Sequence, residues 1–312
     1  MAAADWMRDL STEIRHSRPI CQLVIPGSHD SLTYHLDKTL PVGPDTNKGV
    51  RRLGNLFPCV KSIIYKWSKC QSIDVEEQLI KGVRYIDIRI GILPRKNINS
   101  PTEGDKEDLS KFRVIHALYG EQISTPLDAI ARFLEIHKSE VVILDFQHTY
   151  SFSGTDHNLL VKEIQRNFGK KLCPKNEIIA NLTLDRMKER GYQVIAIYPK
   201  MATPTNLFMW PRCLCPNPWA NTTKIEILSD FLKEGLEKRD DQNAFFVSQA
   251  ILTPTLGTIR SHLTSSLEKT LAKICDAFVI KWLSENPSNL NIVIVDFIGK
   301  DDIIEILIQS NR

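Results

Sequence analysis

Two histidines, an arginine and several carboxylates stand at the ends of short apolar runs. The first run ends Ile25-Pro26-Gly27-Ser28-His29-Asp30-Ser31. A second reads Arg84-Tyr85-Ile86-Asp87-Ile88-Arg89, and a third ends Val114-Ile115-His116. A fourth runs Leu144-Asp145-Phe146-Gln147-His148, and the last Asn291-Ile292-Val293-Ile294-Val295-Asp296. Asp87 and Arg89 are two apart, so an extended strand puts them on one face. Taken singly, each has a structural reading: a satisfied histidine, an Asp87–Arg89 ion pair, an Asp296 held by a cation or by a helix N-terminus near Asp301. Asp296 interrupts a strongly apolar run and needs some partner, because an unpaired buried carboxylate is costly. Taken together, the set suits phosphoryl transfer without a metal. One imidazole removes a proton from an attacking hydroxyl and another protonates the leaving oxygen. A guanidinium binds the phosphate through two N–H groups and stabilises the developing charge.

Such side chains need strands that end at one place. The β-branched runs at 22–25, 83–90, 112–115, 141–146, 193–198, 245–251 and 291–298 read as strands, and one more is expected within 206–220. Helical patterns follow at 75–81, from Thr125 as a cap to about Lys138, at 157–168, 224–238, 262–285 and 301–309. Pro26-Gly27 is read as the stop of the first strand, and Gly82 as the end of the helix before it. The strands are apolar on both faces, as buried parallel strands are. Some eight βα units in 312 residues predict an α/β fold, a (β/α)8 barrel in one domain spanning 1–312. An open doubly wound sheet is the alternative, but no Gly-rich turn follows the first strand. The polar stretch Lys96–Lys111 reads as a solvated loop.

Composition narrows the function classes. The chain is 42% hydrophobic and 25% charged with a formal net charge of +3, and no nucleic-acid-reading motif is present. Its seven cysteines are scattered, which argues against a secreted disulfide framework, and Cys213-x-Cys215 lacks a second ligand pair for zinc. The N-terminal residues hold no signal-peptide core, no apolar run reaches the roughly 20 residues of a membrane span, and lipidation signals are missing. The expected location is cytoplasmic, with the nucleus as the other default, and any membrane contact is expected to be peripheral.

The segments IPGSHDS (25–31), VRYIDIR (83–89), Val114–His116 and Val293–Phe297 resemble the phosphatidylinositol-specific phospholipase C X-domain family. PWANTT (218–223) and SQAILTP (248–254) are similar to small animal proteins that contain only that domain. The resemblance implies a distorted (β/α)8 barrel and a role for each rim residue. His29 would be the general base on the inositol 2-hydroxyl, and His116 the acid that protonates the diacylglycerol oxygen. Arg89 would bind phosphate, Asp30 would support Arg89 and the acid, and Asp296 would orient the base. The implied reaction is phosphodiester cleavage of a phosphatidylinositol-like lipid to diacylglycerol and a cyclic inositol phosphate. Asp87, Gln147, Arg190 and Trp219 are candidate substrate contacts; a turn charge at Arg190 and a packed Trp219 are the structural alternatives.

This chain departs from the family in places. Ala117 stands where a glycine usually follows the acid, a change that costs little unless φ is positive. Arg89, Gln147 and Asp30 stand where calcium-dependent relatives carry other metal ligands, so the resemblance implies no calcium and no cofactor. The alternatives in function are an inactive lipid-binding or scaffold protein on the same barrel and, less favoured, a metal-dependent glycerophosphodiesterase. The implied partner is a phosphoinositide lipid at a membrane surface; no protein partner is legible. The aromatic-rich stretch 206–220, with Trp210 and Trp219, is expected either to dock on membranes or to cap the barrel.

Overall fold

Nine strands form one sheet among the described residues, which are 3–94, 109–199, 206–240, 243–285 and 287–312 of a computed structural model. They are β1 (Ile25–Ser28), β2 (Tyr85–Ile92), β3 (Phe112–His116), β4 (Leu118–Gln122), β5 (Val142–Tyr150), β6 (Val194–Tyr198), β7 (Met209–Pro211), β8 (Val247–Gln249) and β9 (Ile292–Val295). Seven of them pair in the order β7-β6-β5-β2-β1-β9-β8, every pairing parallel. The sheet curls until its ends meet. The chain just past β7 accepts bonds from the approach to β8, Phe245 N–H to Leu214 O (2.9 Å) and Val247 N–H to Pro216 O (2.9 Å). The result is a distorted barrel in a single domain, with amphipathic helices outside. Ile225–Glu237, for example, buries Leu228, Leu232 and Leu236, a period of four that lines one face. No helix among the described residues is long and apolar enough to cross a membrane.

The third strand departs from expectation. β3 is not a barrel stave but runs antiparallel to β2, and β4 returns antiparallel to β3. The cause is a length mismatch. β1 pairs with β2 only at Tyr85 and Ile86, so β2 projects past it with an edge at Ile90–Ile92. An unpaired edge leaves backbone groups unsatisfied, and β3 takes it with Ile90 opposite Val114 and Ile92 opposite Phe112. Following that register, His116 comes back level with Ile88.

The first strand begins later than expected, and Pro26-Gly27 lies inside it. Proline is tolerated because the bonds to β9 run through alternate residues, Ile25 N–H to Asn291 O and His29 N–H to Val295 O. The helix expected from a Thr125 cap is Ser124–Ile136, and no side chain caps it. The helix 75–81 is Val75–Ile80, ended by Gly82 at φ +113°. The strand sought within 206–220 is β7. Most of the loop expected at 96–111 lies outside the described residues.

Candidate active site

The C-terminal ends of β1, β2, β5, β7, β8 and β9 and the end of β3 surround one cavity of about 370 Å³. The turn after β1 sets its floor. Ser28 Oγ–H donates to Gln78 Oε1 at 2.7 Å, and Ser31 Oγ accepts the Asp87 N–H at 2.7 Å. Asp30 takes a left-handed φ of +43° in this turn, and its own N–H donates to Asp87 Oδ2 at 3.0 Å. Gln71 joins the ends of β1 and β9: its Nε2 donates to His29 O (2.8 Å) and Val295 O (3.1 Å), and its Oε1 accepts the Ile298 N–H. His29 and Asp296 are thereby held on adjacent strand ends, His29 Nδ1 2.8 Å from Asp296 Oδ1.

Asp30 is the hub. Its Oδ2 lies 3.4 Å from His29 Nε2 and 3.4 Å from His116 Nε2. Its Oδ1 lies 2.5 Å from Arg89 Nε, and Arg89 Nη2 reaches His29 Nε2 at 3.2 Å and Asp87 Oδ2 at 3.4 Å. His116 comes in from the β3 turn, with Nδ1 2.7 Å from the Ser68 carbonyl. The two imidazole rings face edge to face at 6.4 Å.

These neighbours set the charges. Burial would raise the Asp30 carboxyl, but Arg89, His116 and His29 overcome it and hold it at about 2. Burial would depress His29, but Asp30 and Asp296 outweigh that and leave it above its ordinary 6.5. The buried carboxylates also hold Arg89 firmly protonated against burial. His29, Asp30 and Cys70 place three ligand-type atoms within 4.8 Å of one another. Yet Arg89 lies on that carboxylate, and burial pushes the Cys70 thiol well up, so it stays protonated and is a poor metal ligand.

His29, Asp30, Arg89, His116 and Asp296 therefore meet in one place. Asp87 is buried and holds the Asp30 backbone and Arg89, a supporting position rather than a cavity contact. Gln147 lines the cavity but is engaged: its Nε2 donates to Asp145 Oδ2 at 2.6 Å, and its Oε1 accepts from Arg212. Trp219 also lines it, 52% exposed, with its indole N–H donating to Thr253 Oγ1 at 2.8 Å. Arg190 is not at the site. It ends the helix Leu184–Arg190, exposed, on the connection into the start of β6 and so at the opposite end of the barrel. Besides Arg89, the arginine that lines the cavity is Arg212, immediately after β7. The signal was present: a strand inside 206–220 that ends at Pro211 puts Arg212 on the rim. Burial raises the neighbouring Asp145 to about 7 despite the Tyr85 hydroxyl and Arg212. Trp210 is 1% exposed and its indole N–H donates to Cys173 O, so it belongs to the core and not to a membrane-facing loop.

PI-PLC X domain-containing protein 2 of Mus musculus is 37% identical over 311 residues, covering 99% of this chain and 87% of that one. PI-PLC X domain-containing protein 3 of Homo sapiens is 34% identical over 313 residues, covering 99% and 93%. A phosphatidylinositol-specific phospholipase C from Listeria monocytogenes has the same fold over the full length of both chains (100% and 100%), with a TM-score of 0.67 at 18% identity. A scan of family models finds no match. Identity above 30% along nearly the whole chain, on a barrel of this kind, makes it a member of the PI-PLC X domain-containing protein family.

Proposed function

We propose that this chain is a phosphoric diester hydrolase of the phospholipase C type, acting on phosphatidylinositol or a close relative at a membrane surface. The observation that carries the reading is the unequal surroundings of two similar imidazoles. His29 Nδ1 faces a carboxylate, so it carries the proton, and the nearest group to its Nε2 is an Arg89 N–H at 3.2 Å that can only donate, with Asp30 Oδ2 further off at 3.4 Å. That leaves a lone pair on Nε2, the state of a general base. His116 Nδ1 faces the Ser68 carbonyl and its Nε2 faces the Asp30 carboxylate, both acceptors only. A proton on each nitrogen suits that ring, the state of a general acid.

A phosphate seated between them would lie against Arg89. His29 would take the proton of the inositol 2-hydroxyl, and that oxygen would attack phosphorus. His116 would protonate the departing diacylglycerol oxygen, and Asp296 would stabilise the imidazolium formed on His29. Arg89 would supply the positive charge that a divalent ion supplies elsewhere, so the proposal includes no calcium. The test is turnover of purified protein on phosphatidylinositol vesicles in excess chelator, read as cyclic inositol phosphate. Binding without turnover would sink the hydrolase reading in favour of a lipid-binding protein. Activity that calcium alone restores would reassign Arg89 to a structural ion pair.

A further inference from the structure

Asp45 stands outside the cavity, in the sequence Pro41-Val42-Gly43-Pro44-Asp45-Thr46. Gly43–Thr46 is a turn with proline at its second position, where the ring presets φ. Thr46 closes it on the Gly43 carbonyl, through its N–H at 3.4 Å and its hydroxyl at 2.7 Å. The segment is fixed on its outer side. Val42 N–H donates to Asn55 Oδ1 at 2.8 Å, and the Val42 side chain packs with Leu36, Ile64 and Leu118. On its inner side it runs antiparallel to β4, with bridges from Leu36 to Gly120 and from Val42 to Leu118.

This strap grips Ala117, the single residue between His116 and β4. Gly43 N–H donates to Ala117 O at 2.7 Å, and Asp45 Oδ2 accepts the Ala117 N–H at 2.5 Å. Among the described residues that N–H is the one hydrogen-bond partner of the Asp45 carboxylate, whose Oδ1 is buried without another. Bonds from a charged acceptor to a backbone N–H are the stronger kind. This one holds a strained residue, since Ala117 sits at φ +58°, a region that residues with a Cβ avoid. β3 pairs with β2 no further than Val114 opposite Ile90. The backbone of His116 therefore overhangs that pairing, and the turn at Ala117 sets where its ring begins. Gly43 fits the same purpose: a Cβ there would strike the Asp45 carboxylate and Ile115 Cδ1.

We propose that Asp45 is a positioning residue for the acid step. It locks the left-handed turn after His116 and so holds the imidazole between the Ser68 carbonyl and Asp30, where it meets the leaving oxygen. The inference rests on the reading of His116 as the general acid. Asp45 makes no bond to the imidazole and does not line the cavity, so its loss misplaces the acid without removing it. An acid that is misplaced slows the departure of a poor leaving group and spares a good one. A carboxylate that merely braced the strap would have no such selectivity.

The experiment compares two soluble substrates that share the inositol phosphate and differ in what leaves. One is a monomeric short-chain phosphatidylinositol, whose alkyl oxygen needs a proton; the other is a nitrophenyl inositol phosphate, whose aryl oxygen departs without one. Asp45→Ala should lower the first rate by about 10–10²-fold, as an acid displaced by about 1 Å would, and leave the second within about twofold. The ratio of the two rates does not depend on how much protein is folded, so a less stable variant still gives an answer. Gly43→Ala, which pushes the carboxylate off Ala117, should shift the ratio the same way. Asp45→Asn keeps an acceptor oxygen and should restore most of it. An equal fall on both substrates, or no fall on the first, would overturn the proposal. Nitrogen NMR supplies a reading without turnover. His116 Nδ1–H, covered by the Ser68 carbonyl, should give a slowly exchanging ring signal that His116→Ala removes and Asp45→Ala weakens; an unchanged signal in Asp45→Ala would also overturn the proposal. A wild type that cleaves neither substrate would sink the phospholipase reading, and the ring signal then judges the hold of Asp45 on His116 by itself.

Discussion

Arg84, just before β2, and Arg89, in its middle, lie five residues apart; Arg84 is fully buried and Arg89 borders the cavity, and they are surrounded in opposite ways. Arg84 has all five N–H groups bonded: two to Glu140 Oε2 and the others to the carbonyls of Leu79, Val83 and Ala4. Glu140 in turn accepts the backbone N–H groups of Met7 and Arg8. This closed pair pins the N-terminal segment to the N-terminal end of the barrel. Arg89 holds three neighbours with Nε and Nη2, and among the described residues no hydrogen bond engages its Nη1. The contact of its Nε with Asp30 is ionic and off hydrogen-bond angle, and one oxygen each of Asp30 and Asp87 lacks a hydrogen-bond partner. A buried charge with every donor used is architecture. A buried charge with capacity left over, open to a cavity, is a place for a ligand.

The largest expected effect breaks the open side of this comparison. His29→Ala and His116→Ala should each lower turnover by roughly 10²–10⁴-fold, the usual yield of a general acid or base, with little change in melting. A wild-type rate in either variant would end the two-histidine mechanism. Next, Glu140→Ala should cost about 3–5 kcal/mol of stability, because it strands the Arg84 charge in the core, while the fraction still folded keeps its specific activity. Arg89→Met is the mirror image: turnover should fall by about 10²–10³-fold, with a smaller loss of stability than Glu140→Ala, because Asp30 and Asp87 lose a cation but Asp30 keeps His29 and His116 beside it at an open cavity. If Arg89→Met unfolds the protein as Glu140→Ala does, the distinction between the two arginines fails.

A third measurement is the acid limb of kcat/KM. His29 must be unprotonated to act, and its neighbours hold it above 6.5, so activity should rise through a pH above that value. Asp296 is one of the groups that raise it. Asp296→Asn should therefore move the limb to lower pH while reducing kcat more than it changes KM. A limb that stays in place with only KM altered would make Asp296 structural. The smallest effect concerns Ala117, which sits at φ +58° with its N–H bonded to Asp45 Oδ2 at 2.5 Å. A left-handed alanine carries strain of about 1 kcal/mol, so Ala117→Gly should raise stability by roughly that amount in thermal denaturation. No gain would mean that glycine's greater freedom in the unfolded chain cancels the relief.

Much of this was legible without coordinates, because local chemistry and period are local properties. Apolar runs that give way to polar residues at His29, Arg89, Gln147 and Asp296 mark strands that run toward one rim, and the strands of a parallel sheet are brought together by the fold itself; that β2 and β5 continue past Arg89 and Gln147 was not marked. The alternation of such runs with amphipathic helices determined the barrel. What only the tertiary structure decided is which groups of like type are closed and which are open. Arg190 and Arg212 are both single arginines near turns, and their placement at opposite ends depends on which end of a strand each one adjoins. Trp210 and Trp219 are nine residues apart, yet one is core and one lines the mouth, because the short strand Met209–Pro211 turns its middle residue inward. His116 reaches Asp30 only because β2 outgrows β1 and leaves an edge that an antiparallel hairpin must fill. Strand length relative to a neighbour is a property of the pair, and it becomes defined only when both strands are in the sheet.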